Sequence, residues 1–132
     1  MSGEKNLAAL LQTMRPELNT GEFVFCSLPD PAGIDAADII CSFREKEGIT
    51  IIVNRQVADR LHFTYSFVAS WITLSVHSSL EAIGLTAAFA AALTNAGIAC
   101  NVVAGYYHDH IFVPVNDTIK AMETLGKLSV SS

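Results

Sequence analysis

Between Ile72 and Val113 the hydrophobic period changes from two to 3.6 and back to two, and this constrains the fold more than any other feature of the chain. Ile72, Leu74 and Val76 alternate with Thr73, Ser75 and His77, which predicts a strand with one buried face. The loop Ser78-Ser79-Leu80-Glu81-Ala82-Ile83 follows, and Gly84 then opens a helix whose buried stripe is Leu85, Ala88, Phe89, Ala92, Leu93 and Ala96. Gly97 stops that helix. The β-rich runs Cys100 to Ala104 and His110 to Val113 flank Gly105-Tyr106-Tyr107 and predict two antiparallel strands. Pro114 and Asn116 lead into a last helix carrying Ile119, Met122 and Leu125, with Glu123 and Lys127 as an i, i+4 pair. The order strand, helix, strand, strand, helix predicts an α+β layer arrangement of the ferredoxin-like kind, in which helices cover one face of an antiparallel sheet.

The first half reads as a degenerate version of the same plan. Leu7, Leu10, Leu11 and Met14 lie on one face of a helix that Pro16 ends. Glu22 to Leu28 reads as a strand, closed by the breaker run Pro29-Asp30-Pro31-Ala32-Gly33. Ile39 to Arg44 and Ile49 to Val53 flank Glu45-Lys46-Glu47-Gly48 and predict a hairpin. Asn54 is placed to cap a short helix from Arg55 to Leu61. The helix therefore precedes the first strand instead of following it, so the duplication is one of topology and not of sequence.

Composition narrows the function. In 132 residues, 51% hydrophobic content and a mean hydropathy of +0.39 exceed what one small core absorbs, which predicts a homodimer or higher homo-oligomer. A net charge of −5 argues against a nucleic-acid partner. No apolar run reaches the length of a membrane span, and the start Met1-Ser2-Gly3-Glu4-Lys5-Asn6 does not read as a secretory signal, so the cytoplasm is the expected location. Cys26, Cys41 and Cys100 lack metal or disulfide spacing and read as small core residues. Between Arg60 and Lys120 there is neither Lys nor Arg, so an anion held by that half has to be met by backbone N–H groups, a helix N-terminus or His.

The stretch Ser70 to Pro114 resembles an ACT domain, in its strand, in the loop ending Ile83-Gly84-Leu85-Thr86, in the helix ending Ala96-Gly97-Ile98, and in the strand that starts Cys100-Asn101-Val102. The segment from Tyr107 to Pro114 is similar to that of small stand-alone bacterial proteins built of two ACT-like halves. The resemblance covers residues 70–128 closely. It is looser over residues 1–66, where Pro29 to Asp38 is too short and broken to form the family's usual first helix. It implies a βαββαβ fold in two tandem halves, residues 1–66 and 67–132. It further implies a regulatory module, like those attached to aspartate kinases, that binds a small molecule, an amino acid, where the loop after the first strand meets a neighbouring unit. An unidentified protein partner would read out the bound state. No cofactor is implied.

The residues around that loop suit an α-amino acid. N–H groups of Gly84, Leu85 and Thr86 at a helix start favour a carboxylate, and Glu81 and Asp109 can answer an ammonium. With the resemblance, the expected ligand-binding set is Ser79, Glu81, Ile83, Gly84, Leu85, Thr86, Asn101, Val102 and Asp109. Each also has a plainer reading: Gly84 as a tight-packing glycine, Asn101 as a partner for nearby backbone. His108 and His110 would share a strand face with Asp109 on the other, a poor metal cluster, so they read as solvent-facing or interface residues. Tyr106 and Tyr107 read as core or interface aromatics. Ser78 and Ser79 beside His77 lack a nucleophile elbow, and no phosphate-binding glycine loop is present, so no catalytic residue is expected. The competing expectation is a scaffold in which the fold serves only oligomerisation.

Overall fold

A computed structural model describes residues 6–30, 33–75 and 83–130. Packing divides them into two units, one formed by residues 1–20 with 70–132 and the other by residues 21–69. The boundary falls inside a strand, β5 (Val68–Leu74).

The first unit begins with helix α1 (Leu7–Thr13), started by the Asn6 side chain, whose Oδ1 accepts from the Ala9 N–H at 3.1 Å. Strand β1 (Pro16–Leu18) follows and pairs antiparallel with β5, Pro16 opposite Leu74 and Leu18 opposite Ile72. Helix α2 (Arg55–Arg60) belongs to the other unit. Helix α3 (Leu85–Asn95) ends just before Gly97, and strands β6 (Asn101–Ala104) and β7 (Asp109–Pro114) form the antiparallel hairpin that the sequence predicts. A 3₁₀ turn then leads into helix α4 (Thr118–Val130). The strand order in this unit is β1-β5-β7-β6. Ile72, Leu74, Ile111 and Val113 face one way and form a single apolar core with Leu10, Leu11 and Met14 of α1, Leu85, Phe89 and Leu93 of α3, and Ala121 and Leu125 of α4. Each strand contributes alternate residues and each helix one stripe, as those two periods require.

Three details differ from the sequence reading. Helix α1 lies in the first half of the chain, yet it packs against α3 and α4 of the second, because its apolar face of Leu10, Leu11 and Met14 completes that core. Ile119, one of the apolar residues named for the last helix, is 76% exposed; Ala121 and Leu125 carry its buried stripe, with Met122 half-buried beside them. Thr73, expected on a polar face, is buried, and β5 starts four residues before Ile72, while Val76 and His77 lie outside the described residues.

The second unit contains strands β2 (Phe23–Leu28), β3 (Ile39–Arg44) and β4 (Ile49–Asn54), in the order β3-β4-β2, with Val68 and Ala69 of β5 paired to β2. Helix α2 (Arg55–Arg60) starts at Asn54, whose Oδ1 accepts from the Gln56 N–H at 2.9 Å, as the sequence predicts. Val24, Cys26, Ile51, Val53, Val57 and Ala58 form its core. No α-helix forms between β2 and β3 among the described residues; the segment supplies only a 3₁₀ turn, Ala36–Asp38. Arg55 is bound on two sides, donating to Glu22 Oε1 at 2.9 Å and to the Tyr65 hydroxyl at 3.0 Å, and these contacts hold its guanidinium strongly protonated.

The chain leaves α2 through His62, the one described non-glycine residue with positive φ (+59°). Its N–H donates to Asp59 O and the Phe63 N–H to Ala58 O, a left-handed helix cap. A side chain in that region costs about 1 to 2 kcal/mol. His62→Gly is therefore expected to raise stability by about 0.5 to 1 kcal/mol after the added entropy of the unfolded chain, read as a higher Tm in thermal unfolding.

Candidate functional site

The predicted site residues fall at identifiable places in the first unit. Gly84 has φ +96° and forms the cap of α3, and among the described residues no side chain caps this end of the helix. An added Cβ at Gly84 would lie 3.2 Å from Leu7 Cδ2, so glycine serves both the left-handed backbone and the close passage of α1. The first N–H groups of α3, those of Leu85 and Thr86, come before its i to i−4 ladder, which begins with Ala88 N–H to Gly84 O at 2.9 Å. The Leu85 side chain is buried in the core, so only its backbone is available to a ligand. Thr86 is exposed and Ile83 is 85% exposed. Ser79 and Glu81 lie outside the described residues.

Asp109 opens β7 on the same face as Ile111 and Val113, and it is only 7% exposed. Its neighbour His110 contacts Thr73, so Asp109 lies at the end of the sheet where β5 finishes. Asp109 and the Gly84 cap of α3 are 25 residues apart in the sequence, and both belong to this unit. Burial raises the Asp109 pKa, and attraction to His110 and His108 opposes that rise only in part. A carboxylate kept at the rim of an apolar core is a poor choice for stability and a suitable one for a bound cation.

Asn101 and Val102 are positioned differently. Asn101 pairs with Phe112 and Ala104 with Asp109, so Asn101 sits three residues, about 10 Å, along the strand from Asp109. Its Nδ2 donates to Phe112 O at 3.4 Å, the backbone role weighed from the sequence. Val102 packs half-buried against the core.

The opposite sheet face carries a group that sequence reading missed. His110, expected to face solvent or an interface, is half-buried, and its Nδ1 accepts from Trp71 Nε1–H at 3.0 Å and lies 3.2 Å from Thr73 Oγ1. Asn19 Nδ2 donates to Thr73 Oγ1 at 2.9 Å and to Trp71 O at 3.2 Å. The Trp71 ring stacks on Phe112 with centroids 6.0 Å apart. The parity of Trp71, Thr73, His110 and Phe112 signalled this shared face, but the partnership between strands was not legible. His108 Nδ1 is buried with no hydrogen-bond partner among the described residues. Tyr106 and Tyr107, read as core or interface aromatics, are exposed at the β6–β7 turn and meet edge to face at 5.0 Å. Among the described residues no three His, Cys, Asp or Glu side chains are grouped as metal ligands would be, and no helix is long and apolar enough to cross a membrane.

A four-stranded antiparallel sheet ordered β1-β5-β7-β6 with helices on one face, joined to a second unit of related design, defines a tandem ferredoxin-like α+β module. Two family models, each described as an ACT domain, match residues 2–70 and 66–127, and the chain belongs to the ACT-domain family of regulatory, ligand-binding modules. It is 44% identical to a Vibrio cholerae protein of unknown function, described as a possible transport protein, over 95% of this chain and 97% of that one, with a TM-score of 0.81. An Agrobacterium tumefaciens protein shares the fold at 16% identity and TM-score 0.69, over 88% of this chain and 89% of that one. The ligand-free regulatory subunit of aspartate kinase from Thermus thermophilus does so at 10% identity and TM-score 0.56, over 87% of this chain and 95% of that one. No functionally curated protein matches the chain.

Proposed function

We propose that this protein is a non-catalytic regulatory module that binds a free amino acid at the start of α3, in the second of its two ACT-like halves. The observation that carries the reading is the buried Asp109 carboxylate at the start of β7, in the same unit as an α3 start whose cap residue, Gly84, makes no side-chain hydrogen bond. An α-amino acid presents an ammonium for the first and a carboxylate for the second. Thr86 and Ile83 are exposed beside the helix start to meet the ligand, and Ser79 and Glu81, which precede them in the sequence, complete the proposed set. The absence of Lys and Arg between Arg60 and Lys120 leaves backbone N–H groups as the means of holding the ligand carboxylate. Binding is read out through the assembly of the chain with itself or its grip on a protein partner.

Thermal unfolding with each of the twenty amino acids in turn tests this. One of them at a hundred times its dissociation constant is expected to add about 2.7 kcal/mol of apparent stability. The rival reading, a scaffold that only oligomerises, draws on exposed Phe43, Tyr106 and Tyr107. A stable oligomer by light scattering together with no shift for any amino acid would establish the rival and reject the sensor.

A further inference from the structure

We infer that Trp71 and His110 form a proton-operated latch on the sheet face opposite the apolar core of the first unit, closed when the imidazole is neutral and opened when it takes a proton. The inference is independent of the proposed amino-acid site. It rests on donor and acceptor chemistry. An indole N–H only donates, so the 3.0 Å bond from Trp71 Nε1 requires an unprotonated His110 Nδ1 with the ring proton on Nε2. A proton taken from solvent lands on Nδ1, because that is the free nitrogen. Two donors then face each other and the Trp71 bond is lost.

A replacement acceptor is already in place. Thr73 Oγ1 lies 3.2 Å from the same Nδ1, and its oxygen has a second lone pair beside the one that receives Asn19 Nδ2 at 2.9 Å. Protonation therefore exchanges Trp71 for Thr73, two residues along one strand, and frees the indole from its polar tether while its stack on Phe112 remains. The other side of the ring is confined: an added Cβ at Gly105 would lie 3.2 Å from His110 Nε2, so the ring passes against backbone there.

Among the described residues, the charged and titratable groups around the ring are few. On β7 they are His108 and Asp109, one repelling and the other attracting a proton on His110. On β1, Glu17 stands opposite Thr73 and is exposed. From β5, Trp71 and Thr73 are neutral, as are Val103 opposite His110 on β6 and Asn19 before β2. Burial, aided by His108, lowers the His110 pKa, so the exchange falls on the acid side of the ordinary imidazole range. The folded chain then binds this proton less readily than the unfolded one. The stability it contributes is complete above about pH 6.5 and is lost as pH falls through the lowered pKa.

The test uses the full chain, in which Trp71 is the sole tryptophan. Long-range ¹H–¹⁵N spectra at pH 8 are expected to show His110 as the Nε2–H tautomer. On acidification the Trp71 indole N–H shift and fluorescence are expected to change with the same midpoint as the His110 ring. Trp71→Phe removes the donor that favours the neutral ring and is expected to raise that midpoint by about 0.5 to 1 unit, the pKa equivalent of one hydrogen bond. His110→Asn keeps an acceptor near the Nδ1 position and is expected to abolish the fluorescence transition. The latch is overturned by a Nδ1–H tautomer at pH 8, by Trp71 signals that stay constant down to pH 4.5, or by a Trp71 transition that persists in His110→Asn. The first two readings come from the unaltered protein, so neither depends on a variant that folds.

Discussion

Phe89→Ala is expected to destabilise the fold by about 3 to 5 kcal/mol, measured by urea denaturation. Phe89 is fully buried on α3 and stands among residues of α1, β5, β7 and α4, so its removal leaves a cavity lined by several elements, none of which can collapse into it alone. Domains of this size are stable by only about 5 to 15 kcal/mol, so the substitution takes a large share of the total. Ile119→Ala is the matched control. Both are large apolar residues on predicted helices, but the exposed Ile119 side chain is expected to cost less than about 0.5 kcal/mol. Equal costs at the two positions would contradict this packing.

Asp109→Asn is expected to move stability and binding in opposite directions. Because burial raises the Asp109 pKa in the folded chain, the folded state holds that proton more tightly than the unfolded one. Its contribution to stability is complete below about pH 3.9 and is lost as pH rises through the raised pKa, so at pH 7 the ionised carboxylate weighs against folding. The near-isosteric amide removes that charge, and the variant is expected to have the higher Tm at pH 7, with the difference shrinking toward pH 4. The same change removes the proposed ammonium contact, with a loss of about 1.5 to 3 kcal/mol, or roughly ten- to a hundred-fold in affinity by calorimetry. Unchanged affinity for an amino acid that binds would move the ligand away from β7. A fall in Tm instead of a rise would mean that the carboxylate is structural.

The candidate site was partly legible because its backbone component is local. Gly84 followed by an apolar stripe marks a helix start, and its left-handed φ is what glycine supplies there. Asp109 was nominated by charge alone. Its burial, which separates a rim carboxylate from a solvated one, depends on which way β7 faces in the sheet. Asn101 and Val102 were nominated by the family resemblance, and the β6–β7 register then places Asn101 three residues along the hairpin from Asp109. The Trp71–His110 bond joins residues 39 apart, and no local pattern encodes such a pairing.

The sequence by itself determined the elements and the family: the switch of period from two to 3.6, the Asn54 cap, the hairpins and the tandem ferredoxin-like plan are properties of neighbouring residues. It missed β1, whose three residues Pro16, Glu17 and Leu18 carry no periodic signal and become a strand only because the end of β5 offers them unpaired backbone groups. Tertiary structure alone decided that α1 belongs to the core of the second half. An amphipathic helix announces an apolar face but not the surface that will cover it, and burial of Leu10, Leu11 and Met14 against α3 and α4 settles that choice.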